Sequence, residues 1–227
     1  MTLKSLALTS TLALMALPAV ADQTEWTLDL GHAHLGWEID HMDLARTAGR
    51  FDTFEGTFLI DEDNPENSAI SITVDAASVN SNHIGRDNHI RNADLLNVAS
   101  FPLVTFTSEA ITMRSETEGT MTGTVTLLGN SAPVNLDFTL IADRAYPDFI
   151  SNYDEIRTVS FEATGSVDRT ALGMDFIAFP GSPIGTVIDL DIHIDLVDCG
   201  SLPEAVQATN VPCNWGYVEG FTGPNES

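Results

Sequence analysis

Histidines, arginines and a large excess of carboxylates are the side chains through which this sequence could act. His32 and His34 stand at i, i+2, a spacing that puts two imidazoles on one face of a strand and suits a metal ion. His41 follows closely, and His193 could join them across a sheet. The plainer reading is polar groups at strand ends, satisfied by turns and water. The run Asp61-Glu62-Asp63-Asn64-Pro65-Glu66-Asn67 has the composition of a calcium loop. It lacks the glycine at loop position six and the glutamate at twelve that an EF-hand needs, so a solvated hairpin turn fits it better. No G-x-S-x-G elbow is present, and the carboxylates are too numerous for any pair to stand out as acid and base. Lys4 is the only lysine, which excludes lysine-based catalysis from the rest of the chain.

The densest grouping lies between Ala77 and Val98. Arg86-Asp87, His89-Ile90-Arg91 and Asp94 fall within nine residues, and Phe101-Pro102 follows. Ion pairs among Arg86, Asp87, Arg91 and Asp94 could pin a short helix to the rim of a larger fold. Alternatively, an arginine there could meet a polar or phosphate headgroup at a cavity mouth. Ser81 or Asn82 can cap such a helix, expected between Asn82 and Asn97.

The elements that must position these groups are strands. Leu35, Trp37 and Ile39 alternate with Gly36, Glu38 and Asp40. The same period of two recurs at Ile70–Val74, Val104–Phe106, Val125–Leu127, Val134–Leu140, Val159–Ala163 and Val187–Leu196. Alternation means one apolar and one wet face, as in antiparallel sheets. Turn signals separate the runs at Asp61–Pro65, Ser115–Gly119, Gly129-Asn130 and Tyr146–Asp148. The pattern predicts an all-β domain of about eight antiparallel strands, either a closed barrel or a two-sheet sandwich.

The two ends read differently. Lys4, the apolar run Leu6–Leu17 and Ala19-Val20-Ala21 form a signal peptide over residues 1–21, with cleavage leaving Asp22 first. No later run resembles a transmembrane helix, and stable membrane insertion is not expected. Residues 22–198 form the domain. Residues 199–227 lose the alternation and read as an irregular tail, in which Cys199 and Cys213 are expected to form a disulfide in an oxidising compartment. Such a short closed loop contributes about 3 kcal/mol at most. The formal net charge of −24 argues against nucleic acid and against anionic membrane surfaces. It leaves room for a solvated surface in salty surroundings, or for a cationic partner.

Arg86-Asp87, His89-Ile90-Arg91, Asp94-Leu95-Leu96, Phe101-Pro102 and Phe106-x-Ser108 resemble, in order and spacing, the signature of the YceI-like family of bacterial periplasmic lipid- and polyisoprenoid-binding proteins. The flanks are similar too. Trp26-Thr27-Leu28-Asp29 resembles the family's opening, and Gly49-Arg50-Phe51-x-x-Phe54-x-Gly56 its G-x-F-x-x-F-x-G strand. Gly123–Gly129 with Pro133-Val134, and Asp168–Gly173, match further segments. Leu95-Leu96 replaces the usual paired aromatics, Ser131-Ala132 replaces threonine-lysine, and Leu172 replaces a phenylalanine. These exchanges bear on ligand shape more than on fold.

The resemblance implies an eight-stranded, antiparallel, lipocalin-like barrel with one short helical insertion. It implies a periplasmic binding or carrier protein for a long-chain isoprenoid, an isoprenoid quinone or a related lipid, with no cofactor and no catalysis. A homodimer is compatible with it. The expected lining is Trp37, Ile39, Phe51, Phe54, Phe58, Ile72, Val74, Phe106, Leu127, Phe138 and Phe161. Arg86, Arg91 and Arg169 are expected as headgroup contacts or as braces of the rim. Two readings of other classes stand beside this one: a metal-dependent enzyme built on the histidines, and a stress-response interaction module with an acidic surface.

Overall fold

The alternating segments form antiparallel strands throughout a computed structural model that describes residues 23–145 and 156–200. In chain order these are β1 (Thr24–Leu28), β2 (His34–His41), β3 (Ala45–Phe51), β4 (Phe54–Ile60), β5 (Ala69–Asp75), β6 (Val79–Asn80), β7 (Leu103–Met113), β8 (Glu118–Leu127), β9 (Asn130–Ala145), β10 (Arg157–Asp168) and β11 (Ile184–Val197). One α-helix, α1 (Ile84–Arg91), lies between β6 and β7.

Pairing runs β1-β4-β5-β7-β8-β9-β10-β11, and β1 pairs back onto β11. That contact closes a ring of eight. The remaining strands explain themselves through register. β11 pairs with β2 over Ile184–His193 and with β1 at Leu196 and Val197. β3 pairs with β2 and β6, whereas β4 pairs with β1 and β5. So β1/β2, β3/β4 and β5/β6 are three long barrel strands, each broken near its middle. The expected eight-stranded barrel is present, and the β1–β11 pairing closes it, which removes the long sheet edges an open sheet would expose.

Each break has a local cause. Between β1 and β2, buried Asp29 accepts hydrogen bonds from the Gly31 amide and from His32 Nδ1, both through its carboxylate. Between β3 and β4 the chain bends at Asp52-Thr53, and the Thr53 amide donates to Ser78 Oγ. A 3-10 turn over Ala76–Ser78, capped by Asp75, divides β5 from β6. The β8–β9 connection is the two-residue turn Leu128-Gly129, with φ of 54° and 75°. Two positive φ values in a two-residue hairpin match the right-handed twist of the flanking strands.

The Asp61–Asn67 run is a turn, as expected. Buried Asp61 accepts from the Asn64 amide and the Asn67 side-chain amide, and Pro65–Asn67 forms a 3-10 turn. The helix is shorter than its expected span and is capped by neither Ser81 nor Asn82. His83 Nδ1 accepts from the Arg86 amide instead. The turn at Tyr146–Asp148, the signal segment and Cys213 lie outside the described residues. Among those residues, no helix is long and apolar enough to cross a membrane.

Candidate functional site: an apolar cavity with one charged mouth

Inward-facing side chains do not fill the barrel. They surround a cavity of about 420 Å³ that runs through its interior. Two apolar clusters form the wall. One holds Trp26, Phe54, Phe58, Ile70, Val74, Ile111, Val159, Ile194 and Leu196. The other, under α1, holds Val79, Leu96, Leu127, Val167, Leu172 and Met174. Of the expected lining, Trp37, Phe51, Phe54, Phe58, Ile72, Val74, Phe106, Leu127, Phe138 and Phe161 border the cavity. Ile39 does not. It lies near the end of β2, opposite Ile188 and Thr47.

Aromatic rings leave the lumen open because glycines sit beneath them. Trp37 is paired with Gly49, and Phe138 with Gly119. A Cβ on Gly49 would come within 2.3 Å of the Trp37 ring, and one on Gly119 within 2.5 Å of the Phe138 ring. Gly56 and Gly123 lie in the same way under Phe58 and Phe106. A ring laid flat on such a glycine becomes wall; with any larger residue there it would have to project into the lumen. The G-x-F-x-x-F-x-G stretch therefore supplies two wall rings, Phe51 and Phe54, and the two glycines on which the rings of Trp37 and Phe58 lie.

The end beneath α1 is built with arginines. Arg91 donates from Nε to the Ala77 carbonyl (2.7 Å) and from Nη2 to the Val79 carbonyl (2.6 Å). Arg86 donates to Ser81 Oγ (2.7 Å) and to the Ser81 carbonyl (2.6 Å). Arg169, 1% exposed, donates to the carbonyls of Gly185 (2.7 Å), Met174 and Ile184 (3.5 Å). None of the three borders the cavity. Their donors serve carbonyl and hydroxyl groups of the chain, which is the geometry of braces. Buried Asp87 receives the Ser81 amide (2.8 Å) and the Ser81 hydroxyl. Asp94 approaches His89 at 3.6 Å rather than an arginine.

Asp87 carries a pH dependence. Desolvation pushes its pKa up, but the Ser81 hydrogen bonds and the charges of Arg91 and Arg86 outweigh this, so it lies below the ordinary carboxylate value. A depressed folded-state pKa gives stability that is present above the unfolded value, about 3.9, and is lost as pH falls through the folded one. Asp87→Ala is therefore expected to cost about 1–3 kcal/mol near neutral pH. Urea titrations at a series of pH values should show the gap to the parent protein narrowing below about pH 4.

The opposite end is the mouth, and the sequence did not single out its residues. Among the described residues, four charged side chains border the cavity: Glu62, Glu116, Asp143 and Arg157. They come from the β4–β5 turn, the β7–β8 turn, the end of β9 and the start of β10. Arg157 donates from Nε and Nη2 to the two Asp143 oxygens, each at 2.8 Å. Its Nη1 donates to both Glu62 oxygens, at 2.9 and 2.8 Å. The Arg157 hydrogen bonds lower the Asp143 pKa, and the two carboxylates raise that of Arg157. The guanidinium lies 5.3 Å above the centre of the Trp26 ring. Trp26 is 2% exposed, and neither its indole N–H nor that of Trp37 has a hydrogen-bond partner among the described residues. Asp143 and Arg157 meet across the paired strands β9 and β10, and barrel closure brings Glu62 of the distant β4–β5 turn to them.

The histidines separate. His32 sits in the β1–β2 turn, where the hydrogen bond to Asp29 raises its pKa. His34 instead opposes His193 across β2 and β11, with ring centres 6.1 Å apart. Among the described residues, no group of three His, Cys, Asp or Glu side chains could hold a metal ion.

Comparison with known proteins accounts for this architecture. The model of the YceI-like domain matches residues 26–196. A UPF0312 protein of Vibrio parahaemolyticus is 28% identical over 194 residues, 85% of this chain and 97% of its own. Protein YceI of Salmonella newport is 38% identical over 123 residues, covering 54% of this chain and 64% of its own length. Among solved structures, BcnA of Burkholderia cenocepacia superposes with a TM-score of 0.63 at 18% identity, over 74% of this chain and 98% of its own. A polyisoprenoid binding domain from Saccharophagus degradans, implicated in plant cell wall breakdown, gives a TM-score of 0.51 at 13% identity, over 75% of this chain and 97% of its own. At these identities the two structures establish the shared fold.

Proposed function

The chain belongs to the YceI-like family, and on that footing we propose that it encloses one long apolar molecule, an isoprenoid, isoprenoid quinone or related lipid, as an exported periplasmic carrier. The observation that carries this reading is the cavity itself, apolar over its whole length with charge confined to one end. Its volume falls in the range of small-molecule sites, about 300–1,000 Å³. Each CH₂ moved from water into such a wall gains about 0.8 kcal/mol. About fifteen would gain roughly 12 kcal/mol, and association costs of about 4 kcal/mol would still leave micromolar binding. No step of chemistry on the guest is required. The polyisoprenoid-binding domain of Saccharophagus degradans has the same fold, which supports a chain-like guest.

Export rests on the signal segment, residues 1–21, and agrees with a Cys199–Cys213 disulfide in the tail. Native mass spectrometry of the protein purified from its own host, followed by solvent extraction, tests the binding. A reproducible mass increment that extracts as a long-chain lipid is expected. A barrel that is always empty and also refuses added polyprenols and quinones defeats the proposal.

The glycine–aromatic wall gives a finer test. A Cβ on Gly56 would lie 2.5 Å from the Phe58 ring, which must then swing toward the lumen. Gly56→Ala is expected to weaken guest binding several-fold, while the melting temperature moves by no more than about 2–4 °C, the shift that roughly 1 kcal/mol produces in a domain of this size. Calorimetric titration beside a melting curve separates the two effects.

A further inference from the structure

We infer that the mouth selects guests with an uncharged, hydrogen-bond-accepting headgroup and refuses anionic ones, through the cluster of Arg157 with Glu62, Asp143 and Glu116. This inference rests on the lipid-carrier reading and narrows its ligand class.

Three of the four charged residues bordering the cavity are carboxylates, and the fourth is Arg157. An arginine at a cavity mouth would ordinarily suggest a phosphate or carboxylate guest, because its planar fork of five N–H donors matches those groups. Here the fork is already taken. Two donors go to Asp143 and two to Glu62, each contact between 2.8 and 2.9 Å. An anionic headgroup would have to displace one of these carboxylates, and would still face the others at short range. Glu116 adds a further negative charge with no guanidinium of its own at the mouth. The whole chain, at −24, offers no compensating field.

A neutral oxygen meets none of this. It can accept the one Arg157 N–H that the two carboxylates leave over, and no ion pair is broken. The donor left over at the mouth is thus that Arg157 N–H, and three of the four charged side chains around it are carboxylates. A hydroxyl, carbonyl or ether oxygen on a long chain satisfies both conditions.

A polyprenol and its monophosphate of equal chain length differ only in the headgroup, and the phosphate carries about −1.5 to −2 charges at neutral pH. Both are titrated into the full mature chain at low salt, with tryptophan fluorescence as the signal. The polyprenol is expected to bind at least ten-fold more tightly, and added salt should narrow the gap. A Glu62→Gln, Asp143→Asn double variant frees the guanidinium and should improve monophosphate binding at least five-fold relative to the polyprenol. Equal or tighter binding of the monophosphate by the parent protein overturns the inference and leaves the carrier function standing. Refusal of both compounds overturns the carrier function, and the inference with it.

Discussion

Arg169→Met is expected to destabilise the barrel by about 3 kcal/mol, the largest stability effect of any arginine exchange in the protein. The side chain is 1% exposed and spans three carbonyls, at Gly185, Met174 and Ile184. Those carbonyls lie in the turn after β10 and at the start of β11. The guanidinium therefore ties together two segments that lie beyond the last β10–β11 pair, Asp168–Val187. Burial opposes the charge and pulls the Arg169 pKa down, while Asp168 and Asp175 support it. An arginine starts from a value above 12, so it remains charged at any physiological pH. Methionine keeps much of the volume and removes the cost of burying a charge. It also takes the guanidinium donor from the Gly185 and Met174 carbonyls, each worth about 1–3 kcal/mol when buried and unpaired, while the Ile184 carbonyl keeps the Ser182 hydroxyl. The second effect is the larger because two acceptors lose their donor together. Arg169→Lys, a point donor that reaches fewer of them, should fall between. Urea unfolding followed by far-UV circular dichroism measures both, and a methionine variant within about 1 kcal/mol of the parent would contradict the bracing role.

The expectations drawn from sequence succeeded where a physical signal is local. Period-two alternation located the strands, because a half-buried strand writes its two faces directly into successive residues. It could not decide barrel against sandwich, since closure depends on β1 meeting β11 at Thr27–Val197 and Leu28–Leu196, far apart in the chain. The family resemblance supplied that step. The wall was legible for the same reason as the strands: Phe54 and Phe58 share one face of β4 by parity and border the cavity, as does Trp37 on its face of β2. Ile39 shares the parity but stands too near the strand end.

Charged residues were harder to place. Arg86 and Arg91 drew attention because they cluster in sequence, and clustering of that kind marks a local scaffold: they hold the 77–81 backbone to α1. Arg157 has no charged neighbour closer than Glu155 in sequence, and its partners Asp143 and Glu62 are 14 and 95 positions away. A site assembled by closure leaves no short-range trace. The most useful hint was structural in kind. Arg157 opens a strand at the end opposite α1, where the apolar lining must meet water.

Ala163→Trp is expected to abolish long-chain lipid binding, by at least a hundred-fold, without unfolding the protein. Ala163 lies on β10 between Phe138 of β9 and Ile192 of β11, and its methyl group borders the cavity. Enlarging a side chain in a packed core forces off-rotamer geometry and costs about 1–3 kcal/mol. Here the indole has the lumen to enter, so that cost is largely absent, and burying the new ring gains roughly 25 cal/mol per Å² of apolar surface taken out of water. Stability should hold or rise. The guest, however, would lose the middle of its path. A chain threaded from the mouth toward Leu172 and Met174 would be cut to the portion between Arg157 and the new ring. With each excluded CH₂ forfeiting about 0.8 kcal/mol, four of them already amount to more than a hundred-fold in affinity. A shortened guest, with only the carbons that fit outside the plug, should retain its binding to the variant. Calorimetric titration of a long and a short polyprenol into both proteins resolves this. Undiminished binding of the long chain to a folded Ala163→Trp protein would place the guest outside the barrel.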